Sequence, residues 1–262
     1  MSTAMVAGVD VDTRHWIGGR RVASGATFTD LSPIDEQPLA EVARGGQAEV
    51  GAAVRAAGEA FAGWSATPPG DRAQVLHAIA DGITERAADL AEVETADNGA
   101  LLRSHLRSVM PRAAQNFRFF ADWLGRLGAG DLEIGGHREQ VSWAPSGVTA
   151  VITPLELGGK SPLLVFADAD LDLAVAHAVG QYDNAGQVCL AGTRLLVEEA
   201  VAEEFVARFI SRAAGLKQGD PRDEGTEVGP NITRQHLARI DGFVRRAVAA
   251  GARPLLGGAV NP

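Results

Sequence analysis

Apolar side chains recur every three or four positions over much of the chain and fall into short solid runs elsewhere. From Gln47 to Trp64, the residues Val50, Val54, Ala57, Phe61 and Trp64 are spaced by four, three, four and three, which predicts an amphipathic helix with that stripe inward. Pro68-Pro69-Gly70 ends it. Asp71 opens a second helix with Val75, Ile79, Ile83, Leu90 and Val93 inward, closing at Asn98-Gly99. A third helical stretch, Leu101 to Leu127, contains Pro111, which predicts a local break or kink. Its aromatic residues Phe117, Phe119, Phe120 and Trp123 read as core. A last helix, Thr233 to Ala250, should bury Leu237, Ile240, Val244 and Val248.

Residues 1–13 carry little pattern and read as a loose terminus. His15 to Arg21 predicts strand, turn and strand, with Gly18-Gly19 at the turn. After Gly128-Ala129-Gly130, His137 to Pro145 alternates loosely, and Val148–Ile152 reads as a compact buried strand. Leu164–Phe166 is a further strand, with Asp168 and Asp170 capping a helix from Leu171 to Tyr182. A strand at Arg194–Glu198 precedes a helix lined by Val201, Phe205, Phe209 and Leu216, and Asp220-Pro221 turns the chain. The pattern is α/β. A helical part with a hairpin and one strand fills residues 1–154, and an α/β part fills 155–262.

Composition narrows the classes. With 46% hydrophobic and 22% charged residues in 262, the chain is an ordinary globular sequence. No apolar stretch is long enough to span a bilayer, and the start lacks the basic flank and apolar core of a signal peptide. The net charge of −9 argues against nucleic acid as a partner. A single cysteine permits no internal disulfide, which fits a cytoplasmic protein. No metal site is predicted. Only Lys160 and Lys217 are lysines among 24 basic residues, which makes Lys160 stand out.

That single cysteine, Cys189, sits in Asn184-Ala185-Gly186-Gln187-Val188-Cys189-Leu190-Ala191-Gly192-Thr193-Arg194. A lone cysteine is most often a small buried hydrophobe. Here glycines and small side chains surround the sulfur and a strand follows at once, as for a nucleophile on a tight loop whose thiolate attacks a carbonyl carbon. Gly-Gln-x-Cys-x-Ala-Gly-x-Arg closely resembles the cysteine motif of the aldehyde dehydrogenase superfamily. Leu155-Glu156-Leu157-Gly158-Gly159-Lys160-Ser161-Pro162 resembles that family's glutamate motif. His-Trp-Ile-x-Gly from His15 and Gly-Asp-Pro-x-Asp-x-x-Thr-x-x-Gly-Pro at 219–230 are similar to the family as well. Pro-Arg-Ala-Ala-x-Asn-Phe-Arg-Phe-Phe-Ala at 111–121 looks most like the semialdehyde dehydrogenases of aromatic-acid breakdown.

The resemblance implies an aldehyde dehydrogenase-like fold, oxidation of an aldehyde with NAD or NADP, Cys189 as nucleophile and Glu156 as general base. It implies that the 131–147 hairpin joins subunits into a homo-oligomer. It also implies parts that the chain lacks. The family's Pro-Trp-Asn loop, whose asparagine donates to the reacting oxygen, is replaced by Pro154 followed directly by Leu155 and Glu156. The strand–helix units that separate the first cofactor strand from the glutamate motif are missing. A parallel crossover needs about a dozen residues, and none lies between Ile152 and Glu156. Ile152, Thr153, Pro154 and Leu157 remain as remnants of the cofactor site, and binding of NAD or NADP by this chain is not expected. No Gly-x-Gly-x-x-Gly occurs. Gly159-Lys160-Ser161 resembles the end of a phosphate-binding loop, but Pro154 stands where that motif requires glycine. The chain stops at Asn261-Pro262, short of the family's second glutamate. Three readings stay open: a family dehydrogenase, a cofactor-independent thiol esterase, and a non-catalytic remnant or interaction module.

Overall fold

A computed structural model describes residues 2–126, 130–141, 143–151 and 161–260. The chain divides into two compact units. The first comprises residues 1–30, 38–93 and 105–152, and the second 31–37, 94–104 and 153–262.

The first unit begins with a hairpin that the sequence did not lead us to expect. Strands β1 (Thr3–Val6) and β2 (Val9–Asp12) pair antiparallel, with Thr3 opposite Asp12 and Val6 opposite Val9. The two-residue turn between them holds Ala7 at φ 47° and Gly8 at φ 82°, the left-handed pair a tight hairpin needs. Over the described residues 2–13 the chain is therefore not a loose terminus. β3 (His15–Ile17) and β4 (Arg20–Val22) form the expected hairpin around Gly18-Gly19. β5 (Thr27–Leu31) pairs with β6 (Pro38–Ala43).

Helix α1 spans Gln47–Ala66, with the Glu49 carboxylate accepting the Gly46 N–H at 2.8 Å across its start. Helix α2 (Pro69–Glu85) begins on a proline, which fits a first turn that needs no N–H donor. The chain breaks at Arg86 before α3 (Ala87–Asn98), where the pattern predicted one continuous helix. A short turn, α4 (Leu102–Ser104), widens into a π-helical segment over His105–Val109 ahead of α5 (Met110–Leu124). Pro111 explains the widening: it lacks an N–H, and its ring would strike the carbonyl four residues back in a regular helix. α2 and α5 pack together on small residues, with Ala80, Ala114 and Ala121 buried. Arg118 bridges the pair to Asp81 at 2.6 Å. β7 (Gly130–Ile134) and β8 (His137–Val141) form the expected hairpin, turning at Gly135-Gly136.

Several inward assignments in this unit are overturned. Val50, Val54 and Trp64 are exposed on α1, Val75 and Ile79 on α2, and Phe119, Phe120 and Trp123 on α5. The aromatic patch is a surface patch, with Phe119 stacked on Trp123 and edge-on to Phe120. The periodicity marks a common stripe correctly, but the α2–α5 contact uses the alanine faces. Val148–Val151 takes no strand conformation, and Val151 is 79% exposed. A strand needs a neighbour to complete its hydrogen bonds, and none pairs with it among the described residues. Ile152 lies outside them.

The second unit is built on two parallel strands, β9 (Pro162–Val165) and β10 (Arg194–Val197), with Pro162 opposite Arg194 and Val165 opposite Val197. Helix α6 (Leu171–Val179) and a 3₁₀ segment (Gly180–Gly186) connect them. Asp170 caps α6, its carboxylate accepting the N–H groups of Asp172 and Leu173 at 3.0 and 3.1 Å. Helix α7 (Glu199–Ala214) covers the same sheet face. Val165, Val175, Ala178, Val179, Phe205 and Ala213 make one core. The opposite face is bare: Leu164, Phe166 and Leu196 are each more than half exposed. α8 (Arg234–Ala249) is capped by Thr233, but Ile240 and Val248 are exposed and Leu237 and Val244 only half-buried, so the predicted burial of that stripe does not hold.

Candidate active site

The cysteine loop lies between the 3₁₀ segment and β10. It starts with three successive residues in the left-handed region, Asn184 at φ 51°, Ala185 at φ 55° and Gly186 at φ 75°. For Ala185 this conformation costs about 1–2 kcal/mol, whereas Asn tolerates it better, so the surroundings must hold Ala185 there. Cys189 and Leu190 then occupy the two central positions of a tight turn, closed by the Ala191 N–H donating to the Val188 carbonyl at 3.0 Å. This placement lifts the sulfur to the surface. Cys189 is exposed and Leu190 is 77% exposed, while Ala191 is buried beneath the turn.

Two glutamines brace the turn. At its exit, Gln181 Oε1 accepts the Gly192 N–H at 2.5 Å, and Gln181 Nε2 donates to the His177 carbonyl at 2.7 Å. Gly192 passes close to β9: a Cβ there would sit 3.3 Å from Leu163 Cβ. At its entry, Gln187 Oε1 accepts the Ile232 N–H at 2.9 Å and Gln187 Nε2 donates to the Asn184 carbonyl at 3.0 Å. Asn184 Nδ2 returns a bond to the Gln187 carbonyl at 3.2 Å. Gln187 was legible within the motif. Gln181 and Ile232 carry no local sequence signal, because their roles depend on contacts far along the chain.

Glu156, and the cofactor-site remnants Ile152, Thr153, Pro154 and Leu157, lie outside the described residues, as does Lys160. No cluster of metal-ligating side chains occurs among the described residues. No described helix is long and apolar enough to cross a membrane.

The exposed cysteine sits on a braced loop just ahead of β10 in the parallel α/β unit, and sequence comparison gives the family of the chain. The aldehyde dehydrogenase family profile matches residues 21–154 and 155–262, and the chain belongs to that family. It is 26% identical to 5-carboxymethyl-2-hydroxymuconate semialdehyde dehydrogenase of Escherichia coli, covering 95% of this chain and 74% of that protein. With 2-hydroxymuconic semialdehyde dehydrogenase of Pseudomonas sp. (strain CF600) it shares 29% identity, again over 95% and 74%. These matches run over 346 and 359 residues, longer than the 262-residue chain itself. The relatives thus carry residues with no counterpart here, and the profile match breaks between Pro154 and Leu155. Among solved structures, HpcC from Thermus thermophilus superposes with a TM-score of 0.88 at 29% identity, over 97% of this chain and 72% of that one. PnpE in complex with nicotinamide adenine dinucleotide superposes with a TM-score of 0.86 at 25% identity, over 95% and 72%. The fold is therefore aldehyde dehydrogenase-like, over about 72% of those chains' length.

Proposed function

We propose that this chain carries the thiol half of aldehyde dehydrogenase chemistry, with Cys189 as a nucleophile toward aldehydes and activated acyl groups. The observation that carries the proposal is the exposed Cys189 at the apex of a turn braced at both ends. The names of the relatives favour a semialdehyde as the carbonyl compound. We place the protein in the cytoplasm, with the 131–147 hairpin as the surface through which copies associate.

In the family the hydride acceptor is NAD or NADP. The strand-to-helix junctions of the second unit do not favour it. A dinucleotide pyrophosphate is normally held by free N–H groups at a helix N-terminus after a strand. The two such junctions in the second unit are acidic. Asp168 and Asp170 follow β9, with the Asp170 carboxylate already occupying the first N–H groups of α6. Glu198 and Glu199 follow β10, and Glu198 Oε2 accepts the Ala167 N–H at 2.7 Å. Phosphate oxygens would meet carboxylates at both, so no hydride step is assigned to this chain.

The step assigned to Cys189 needs no cofactor. Its thiolate adds to an aldehyde carbon, the carbonyl π pair moves to oxygen, and protonation gives a thiohemiacetal. With an ester, the same addition collapses by expelling the alkoxide to leave a thioester. Water then hydrolyses the thioester, Glu156 taking the water proton as the thiolate departs. The test is turnover of a p-nitrophenyl ester by wild type, Cys189→Ser and Glu156→Gln, with iodoacetamide labelling of Cys189 followed by mass spectrometry. Turnover should vanish in Cys189→Ser and fall in Glu156→Gln. Unchanged turnover in Cys189→Ser would leave the non-catalytic reading, which the bare face of Leu164, Phe166 and Leu196 favours. NADH or NADPH formation from a semialdehyde would instead restore the full dehydrogenase.

A further inference from the structure

The two ends of the cysteine loop are held differently. Beyond Gly192 the chain enters β10 at once, so the exit is fixed by the sheet. The entry has no such support and runs through three left-handed residues before reaching the turn. Asn184 and Gln187 bond to each other locally, and the Gln187 side chain ties the entry to a distant segment. Gln187 Oε1 accepts the N–H of Ile232, 45 residues further on, and Gln187 Nε2 donates to the carbonyl of Asn184, the first of the left-handed residues.

The anchor is itself fixed. Ile232 directly precedes Thr233, whose hydroxyl caps α8 by accepting the His236 N–H at 3.0 Å. Just upstream, Gly229 and Pro230 lie against Gly99: a Cβ on Gly229 would fall 2.5 Å from the Gly99 carbonyl oxygen, and one on Gly99 would fall 2.8 Å from Pro230 Cγ. The 229–233 segment is thus wedged on one side and capped on the other. A hydrogen bond to its backbone transmits a position to the loop.

We infer that Gln187 is the positioning residue of the nucleophile: a two-ended clamp that fixes Cys189 by tying the loop entry to the Ile232 backbone. The inference rests on the thiol chemistry proposed above. Loosening the clamp leaves the thiol present but lets the turn sample other placements, and misplacement by about 1 Å can lower turnover on the order of 100-fold. The effect falls on kcat, because binding of a small ester needs no placed sulfur.

Two variants separate clamp from bulk. Gln187→Met keeps length and volume but loses both hydrogen-bonding ends. Gln187→Glu keeps the acceptor for Ile232. Hydrogen exchange is read at Ile232 and over 184–193, and p-nitrophenyl acetate hydrolysis is read as kcat and KM. Expected for Gln187→Met is exchange faster by about tenfold and kcat lower by about 10–100-fold, with KM within about twofold. Gln187→Glu, which keeps the acceptor for Ile232 but loses the donor to Asn184, should fall between wild type and Gln187→Met in both. Unchanged exchange in Gln187→Met overturns the inference, as does a change in KM alone or a Gln187→Glu variant as impaired as Gln187→Met. A Gln187→Met protein that does not fold assigns the residue to stability and overturns it too. If wild-type turnover proves independent of Cys189, the proposed function fails, and the contrast in exchange between the two variants alone decides the clamp.

Discussion

Gln181 and Gly192 meet across the cysteine loop, the side-chain amide oxygen of one accepting the backbone N–H of the other at 2.5 Å. Eleven residues apart in sequence, they close the loop around Cys189 from its exit side. Gln181→Ala removes the acceptor from a part-buried N–H, a loss of about 1–3 kcal/mol. We expect the thermal midpoint to fall by roughly 2–12 °C, in keeping with about 2–4 °C per kcal/mol for a chain of this size. Differential scanning calorimetry, with Cys189→Ser as a variant near wild type, measures it.

Gly99 adopts φ 75° and has no room for a side chain, since a Cβ would sit 2.8 Å from Pro230 Cγ and 3.0 Å from Pro33 Cγ. Proline rings yield little. Gly99→Ala combines overpacking of about 1–3 kcal/mol with a left-handed penalty of about 1–2 kcal/mol. Gly63 makes the contrast: it lies inside α1 with open space around its Cα, so Gly63→Ala should stabilise by about 0.5–1 kcal/mol. Urea denaturation of the pair should move the midpoint in opposite directions.

Asp12 supplies a pH dependence. Hydrogen bonds from the Arg14 side chain, at 3.0 and 2.6 Å, hold its carboxyl down at about 2. A carboxyl depressed by folding binds fewer protons in the folded state than in the unfolded chain at intermediate pH. Its contribution is complete above its ordinary value near 3.8 and disappears as pH falls to about 2. Thermal midpoints of wild type and Asp12→Asn should differ at pH 7, converge between about pH 4 and 2, and coincide below. A difference constant across that range would contradict the assignment.

The bare sheet face makes a prediction about association. Leu164, Phe166 and Leu196 present apolar surface of a kind that α/β sheets normally cover. Light scattering at micromolar concentration should show self-association by wild type. A Leu164→Thr, Leu196→Thr double variant should remain smaller in size at the same concentration.

Which parts of this could be read from sequence depends on how local their causes are. The motif around Cys189 announced a tight loop, and the structure has a turn there that exposes the sulfur. Asp170 as a helix cap and Pro111 as a helix disturbance were legible for the same reason: each acts within one turn of itself. The β1–β2 hairpin was not, because two four-residue strands joined through Ala7-Gly8 carry too little alternation to stand out. The stripe Val50, Val54 and Trp64 showed which residues share a helix face, yet nothing in a periodicity says whether another element covers that face. Val148–Val151 failed as a strand for the converse reason, since a short apolar run cannot supply the neighbouring strand. The Gln187–Ile232 bond joins positions with no common pattern at all.

The pairing of Pro162 with Arg194 has a consequence for how the molecule is made. β9 and β10 are neighbours in space, but the whole of α6, the 3₁₀ segment and the cysteine loop lies between them in the chain. That register forms only after the intervening residues have been gathered into one closed crossover, and the entropy of such a closure must be met before any strand contact rewards it. The cysteine loop is the last stretch of that crossover before β10, so the geometry around the thiol depends on the closure of the second unit.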